Sequence, residues 1–141
     1  MNDLNRVGIL RETKNPPDRR VPLTPAQCLT FQERFSNKDL TIQPSFIRGF
    51  EDQEYRYLEL NMQEDLSHCD VLLGIKEVDY TTLIPEKTYM FFAHVGKKQP
   101  HNRRMLQEIV RKKITLIDYE YLTDYNGRSE ERRVGKECAT G

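Results

Sequence analysis

The chain lacks any pair of glycines spaced as GxG: its seven glycines stand at positions 8, 49, 74, 96, 127, 135 and 141. That excludes both the dinucleotide-binding fingerprint and the phosphate-binding loop, which need closely spaced glycines to bring backbone amides onto a phosphate. No apolar run approaches 18 residues, and the N-terminus MNDLNRVGILRET has no long apolar segment. Neither a membrane span nor a secretory signal is supported, so the expected setting is cytoplasmic. Net charge is also missing, because 22 basic residues balance 22 acidic ones. Nothing in bulk draws the chain to nucleic acid or to an anionic membrane. Cysteine is scarce, and Cys28, Cys69 and Cys138 form an odd set without a CxxC pair. A disulfide framework and a structural zinc site are both disfavoured. What remains is 141 residues, 37% of them hydrophobic, enough for the core of one domain under a very polar surface, the mean hydropathy being -0.76.

Short apolar runs alternate with helical patterns. Val7 to Leu10, Leu40 to Gln43, Asp70 to Ile75, Thr88 to Ala93 and Ile114 to Ile117 read as strands, giving four or five in all. Asp70-Val-Leu-Leu-Gly-Ile75 is the clearest, since a continuous apolar run suits a sheet covered on both faces. Thr24-Pro25 announces a helix, with Thr as cap and Pro at the first helical position, followed by a stripe of Cys28, Leu29, Gln32 and Phe35. A second helical stretch follows Glu51-Asp52, where Tyr55, Leu58 and Met62 share a face. A third carries Met105, Leu106, Ile109 and Val110 and ends in Arg111-Lys112-Lys113, where cations suit a helix C-terminus. Strands separated by helices predict an α/β fold, a Rossmann-like lobe with a mostly parallel sheet and helices on both faces. Such sheets carry function just beyond the C-terminal strand ends.

Three places there hold ionisable groups. The loop after the first strand contains Arg11, Lys14, Asp18, Arg19 and Arg20. An arginine in it can grip a carboxylate through two parallel hydrogen bonds, and a lysine can add a compact charge. Lys76 follows DVLLGI, and His94 follows TYMFFA. A lysine partly shielded from water and a histidine at the lip of a cleft both exchange protons near neutrality. Taken singly, each also fits a solvated loop charge, a solubilising strand-end lysine or a backbone-bonded histidine. Together they make a site for an anionic substrate undergoing proton transfer. His68-Cys69 has metal-compatible atoms without a second pair of ligands, and the scattered tyrosines form no nucleic-acid platform. Asp118 and Glu120 stand at the last strand end, from which they can lean toward the site, although a cap or surface role is the ordinary reading.

In order, RETKNPPDRRVPLTP, LLGIKEV, TYMFFAHVGKKQP and ITLIDYEYLTD resemble the N-terminal catalytic domain shared by alanine dehydrogenases, the proton-translocating transhydrogenase subunit, and the lysine-forming saccharopine dehydrogenases with their lysine-ketoglutarate reductase relatives. The form FFAHVGKKQP leans toward the saccharopine branch. The resemblance implies a lobe that faces a second, nucleotide-binding lobe carrying NAD or NADP. It implies that Arg20 holds a substrate carboxylate, that Lys76 and His94 form the acid-base pair, and that Lys14 tunes them from the substrate side. Implied substrates are saccharopine, or lysine with 2-oxoglutarate. Alanine with pyruvate is the alternative, and a non-catalytic carboxylate-binding domain is a third reading. No cofactor is expected on this lobe by itself, because the nucleotide-binding lobe is missing.

The last 14 residues, RSEERRVGKECATG, include seven charged ones and depart from the family pattern. The expected organisation is therefore a substrate-side domain over residues 1–127 and a disordered or foreign charged tail over 128–141. The chain is expected to be an inactive part of a longer oxidoreductase.

Overall fold

The computed structural model describes residues 5–93 and 102–121. Six strands form one sheet: β1 (Arg6–Ile9), β2 (Asp39–Ile42), β3 (Asn61–Met62), β4 (Val71–Leu73), β5 (Thr88–Phe91) and β6 (Thr115–Asp118). Their spatial order is β3-β2-β1-β4-β5-β6, and every neighbouring pair is parallel. The helices are α1 (Pro25–Arg34), α2 (Asp52–Tyr57) and α3 (Arg103–Arg111).

The apolar runs dictate the layering, because successive residues of a strand face opposite sides. Val7, Ile9, Leu40, Ile42 and Val71 pack with Cys28 of α1 and Tyr55 of α2 in one core. Leu72, Tyr89 and Phe91 pack with Met105 and Ile109 of α3 in another. Helices thus cover both faces, as a parallel sheet requires. Between the two layers β1 uses a glycine where contact is closest. A Cβ on Gly8 would stand 2.9 Å from both Cys69 Sγ and Leu72 Cδ2.

The start of α1 is the one its sequence announces. The Gln27 amide donates to Thr24 Oγ1 (3.2 Å), and the Thr24 amide donates to Gln27 Oε1 (2.9 Å). That reciprocal pair satisfies two of the helix's orphan donors, with Pro25 in the first turn.

Three expectations need correction. The sheet has six strands rather than four or five, the extra one being the two-residue β3. Met62 lies in that strand rather than on a helix with Tyr55 and Leu58, since α2 ends at Tyr57 and Glu59 turns the chain with φ of 60°. On α3 the apolar stripe is narrower than its spacing suggested: Met105 and Ile109 are buried, while Leu106 is 46% and Val110 71% exposed. A helix lying on one sheet buries only one side, and those two residues point away from it.

Candidate functional site

The strand order reverses between β1 and β4, so their outgoing loops diverge and leave a crevice at their C-terminal ends. Residues 10–24 follow β1 and residues 74–79 follow β4 at that end of the sheet. They carry Lys14 and Arg20, and Lys76, respectively.

Glu12 joins the two loops. It is buried, and its Oε2 and Oε1 accept the backbone amides of Ile75 (3.0 Å) and Lys76 (2.7 Å). Burial pushes its carboxyl above the ordinary glutamate value, against the lowering effect of those two amides. The sequence places ionisable residues here, but nothing local distinguishes Glu12 from its solvated neighbours. Its partners lie more than sixty residues away.

Asp18 is the second organiser. Its carboxylate accepts the Arg20 amide (2.9 Å) and takes Nε and Nη2 of the Arg20 guanidinium at 3.0 and 2.7 Å. Lys76 Nζ stands 4.0 Å from the same carboxylate. Burial works to raise the Asp18 carboxyl, but the hydrogen bonds from Arg20, with the charges of Arg20 and Lys76, hold it below the ordinary aspartate value. One carboxylate therefore gathers two of the predicted site cations. Lys14 joins through the adjacent residue, its Nζ bonding Glu77 Oε2 at 2.7 Å. Lys14 and Glu77 also border a cavity of about 400 Å³, whose other walls include Asp79, Tyr80 and Met105.

His94, the remaining predicted site residue, lies outside the described residues. The chain just before it is firmly held. The Ala93 amide donates to Asp118 Oδ1 (3.2 Å), an atom that also accepts the Glu120 amide (3.1 Å). Asp118 is thus a buried cap linking the ends of β5 and β6. Next to it Tyr119 packs edge-on against Phe92, with ring centres 4.9 Å apart. Burial, and then the charge of Glu12, raise the Tyr119 hydroxyl above its usual value, which keeps it neutral.

Chemically, this end of the sheet offers a guanidinium held in one plane, a lysine ammonium beside it and a second lysine one residue removed. Such a set suits recognition of a carboxylate. Among the described residues no group of three His, Cys, Asp or Glu is placed to hold a metal ion. Among them, too, no helix is long and apolar enough to cross a membrane.

Comparisons with known proteins converge on one family. The model of the alanine dehydrogenase/PNT N-terminal domain matches residues 8–133. Alpha-aminoadipic semialdehyde synthase of Arabidopsis thaliana is 36% identical over 126 residues, covering 86% of this chain and 12% of that protein. The L-lysine-forming, NAD(+) saccharopine dehydrogenase of Emericella nidulans is 29% identical over 130 residues, covering 88% of this chain and 34% of that one. A solved L-alanine dehydrogenase shares the fold with a TM-score of 0.70 at 21% identity, over 86% of this chain and 34% of that chain. The chain thus spans from about an eighth to about a third of these proteins' lengths.

Proposed function

Since the chain belongs to the family of alanine dehydrogenase/PNT N-terminal domains, we propose that it is the substrate-side lobe of an NAD(P)-dependent amino-acid oxidoreductase of the saccharopine and lysine-ketoglutarate branch. The observation that carries the reading is the convergence of Arg20 and Lys76 on the Asp18 carboxylate at the sheet's switch point. The names of the relatives at 36% and 29% identity favour that branch.

Arg20 holds a substrate carboxylate. Asp18 fixes the guanidinium plane before the substrate arrives, so less ordering is left to binding. Lys76 and His94 share the proton transfers at the substrate nitrogen. In the saccharopine direction the amine carbon loses a hydride, which a nicotinamide on the second lobe would accept, and one of the pair takes the amine proton; after water adds to the imine carbon, a proton is returned to the departing lysine amine, leaving 2-oxoglutarate. Lys14 acts on this pair through Glu77, the neighbour of Lys76, and the adjoining cavity gives room for the second half of a two-part substrate.

The nicotinamide cofactor does not fit this chain's own residues, which hold no closely spaced glycines to cradle a pyrophosphate. Acceptance of the hydride is assigned to a cofactor on a second lobe, and this chain's residues handle only the substrate's carboxylate and protons.

The test is titration of the chain with saccharopine, 2-oxoglutarate, alanine and pyruvate, followed by amide and arginine side-chain NMR. Saccharopine and 2-oxoglutarate are expected to shift the signals of residues 12–20 and 74–77, and Arg20→Ala to weaken that binding at least tenfold. Equal binding by Arg20→Ala, or tighter binding of alanine than of saccharopine, overturns the assignment.

A further inference from the structure

The short segment that carries Arg20 is gripped on both sides by the unit that follows β2. Before it, the Gly49 amide donates to the Arg19 carbonyl at 2.8 Å. After it, the Tyr55 hydroxyl donates to the Leu23 carbonyl at 3.3 Å. The first contact is tight enough to favour glycine, since a Cβ at position 49 would stand 3.3 Å from the Arg19 oxygen.

Arg48 immediately precedes the residue that makes the first grip and lies against the ring of the residue that makes the second. Its side chain is only 3% exposed, its guanidinium carbon is 5.2 Å from the centre of the Tyr55 ring, and its Nη1 is 3.8 Å from Asp52 Oδ1. Neither terminal nitrogen makes a hydrogen bond among the described residues, although both are buried. A buried cation with such partial pairing is costly, and replacement by an apolar side chain of similar size is often neutral or stabilising for a fold. Packing alone therefore does not account for it. Its neighbours do: it presses on the ring whose hydroxyl holds Leu23, and it immediately precedes the glycine whose amide holds Arg19.

We propose that Arg48 and Tyr55 are positioning residues for Arg20, holding residues 19–23 from behind so that the Arg20 guanidinium keeps the orientation needed to receive a substrate carboxylate. The inference rests on the reading of Arg20 as the carboxylate holder. Neither positioning residue touches the substrate. Both act through the backbone on either side of Arg20.

The experiment uses the full chain with nitrogen-15-labelled arginine, the Arg20 Nε–H signal being identified by its loss in Arg20→Lys. Exchange of that proton with water reports how firmly Asp18 holds the guanidinium, and 2-oxoglutarate is the probe for binding. In Tyr55→Phe and in Arg48→Met the exchange is expected to accelerate at least tenfold and the 2-oxoglutarate Kd to rise at least tenfold, with amide spectra preserved in α1 and β4. Arg48→Lys recovers part of both effects. Tyr57→Phe removes a hydroxyl from the same helix on a residue 83% exposed and changes neither.

Unchanged exchange in Tyr55→Phe and Arg48→Met overturns the proposal whatever the binding shows, as does faster exchange with an unaltered Kd. If the unsubstituted chain does not bind 2-oxoglutarate while exchange still accelerates in the variants, the carboxylate reading falls and the positioning contacts stand. Should Arg48→Met unfold the chain, Tyr55→Phe, which deletes one oxygen atom, decides the matter alone.

Discussion

Two carboxylates at the end of β1 do opposite electrostatic work within a few residues of each other. Glu12 is buried against two backbone amides, and its carboxyl is raised. Asp18 is bonded to a guanidinium with an ammonium nearby, and its carboxyl is lowered. Because the folded-state value of Asp18 lies below its unfolded value, its contribution to stability is complete above the ordinary aspartate range and is lost as pH falls through the depressed value. Urea unfolding of the chain and of Asp18→Asn at a series of pH values is expected to show the variant less stable near neutrality. The gap should close as the pH falls below about 4; a gap independent of pH would mean that the carboxylate is not held by its partners. For Glu12 the relevant loss is of acceptors. Glu12→Ala leaves the buried Ile75 amide and the part-buried Lys76 amide without their partner, and at about 1–3 kcal/mol for each unsatisfied donor the expected cost is about 2–6 kcal/mol. The urea midpoint reads it, and a cost under about 0.5 kcal/mol, typical of surface substitutions, would remove Glu12 from its linking role.

Elements are set against one another by close contacts that individual propensities do not contain. The clearest is the approach of β1 to the layer beneath it, where Gly8 leaves room for Cys69 and Leu72. Gly8→Ala forces a methyl group into contacts of 2.9 Å. Overpacking of that kind costs about 1–3 kcal/mol. The expected result is a lower urea midpoint with an unchanged slope, and an unchanged midpoint would show that the side chains of Cys69 and Leu72 move aside freely. The ends of α2 and α3 teach the complementary lesson. Helical spacing extends the apolar stripes through Met62, Leu106 and Val110, yet Met62 pairs in β3 and the other two face outward. Spacing identifies a face, whereas its width depends on what the helix lies against.

Taken whole, the sheet is centred on β1 and β4, which are flanked by strands on both sides, and it thins toward β3, which is two residues long. Backbone amides inside a doubly covered sheet are released only by extensive opening, while edges fray locally. Hydrogen exchange of the full chain is accordingly expected to be slowest at Ile9, Val71 and Leu72, and fastest among strand amides at β3. Protection at β3 equal to that of β1 would contradict this layering. The same architecture explains why the site forms where it does. The reversal of strand order between β1 and β4 opens a crevice, and the loops that flank it bring Arg20 and Lys76 onto one carboxylate.

Several features of this protein were determined by the sequence alone, because they depend on local chemistry. The Thr24 cap with Pro25, the buried strand through Val71–Leu73, the parallel helix-covered sheet and the placing of Lys76 just past a strand end all follow from short patterns of residue type. The strings around Arg20, Lys76 and His94 also carried the family resemblance that the comparison over residues 8–133 bears out. Other features were decided only by tertiary structure. Glu12 became a link because amides 63 and 64 residues away came within hydrogen-bonding distance. Arg48, which no motif of the sequence singles out, is buried by the fold against Tyr55, next to the contacts that hold the Arg20 segment. Charge and spacing along a chain are local quantities, but burial and partnership are properties of the folded whole, and they separate a solvated ion from one that holds a site together.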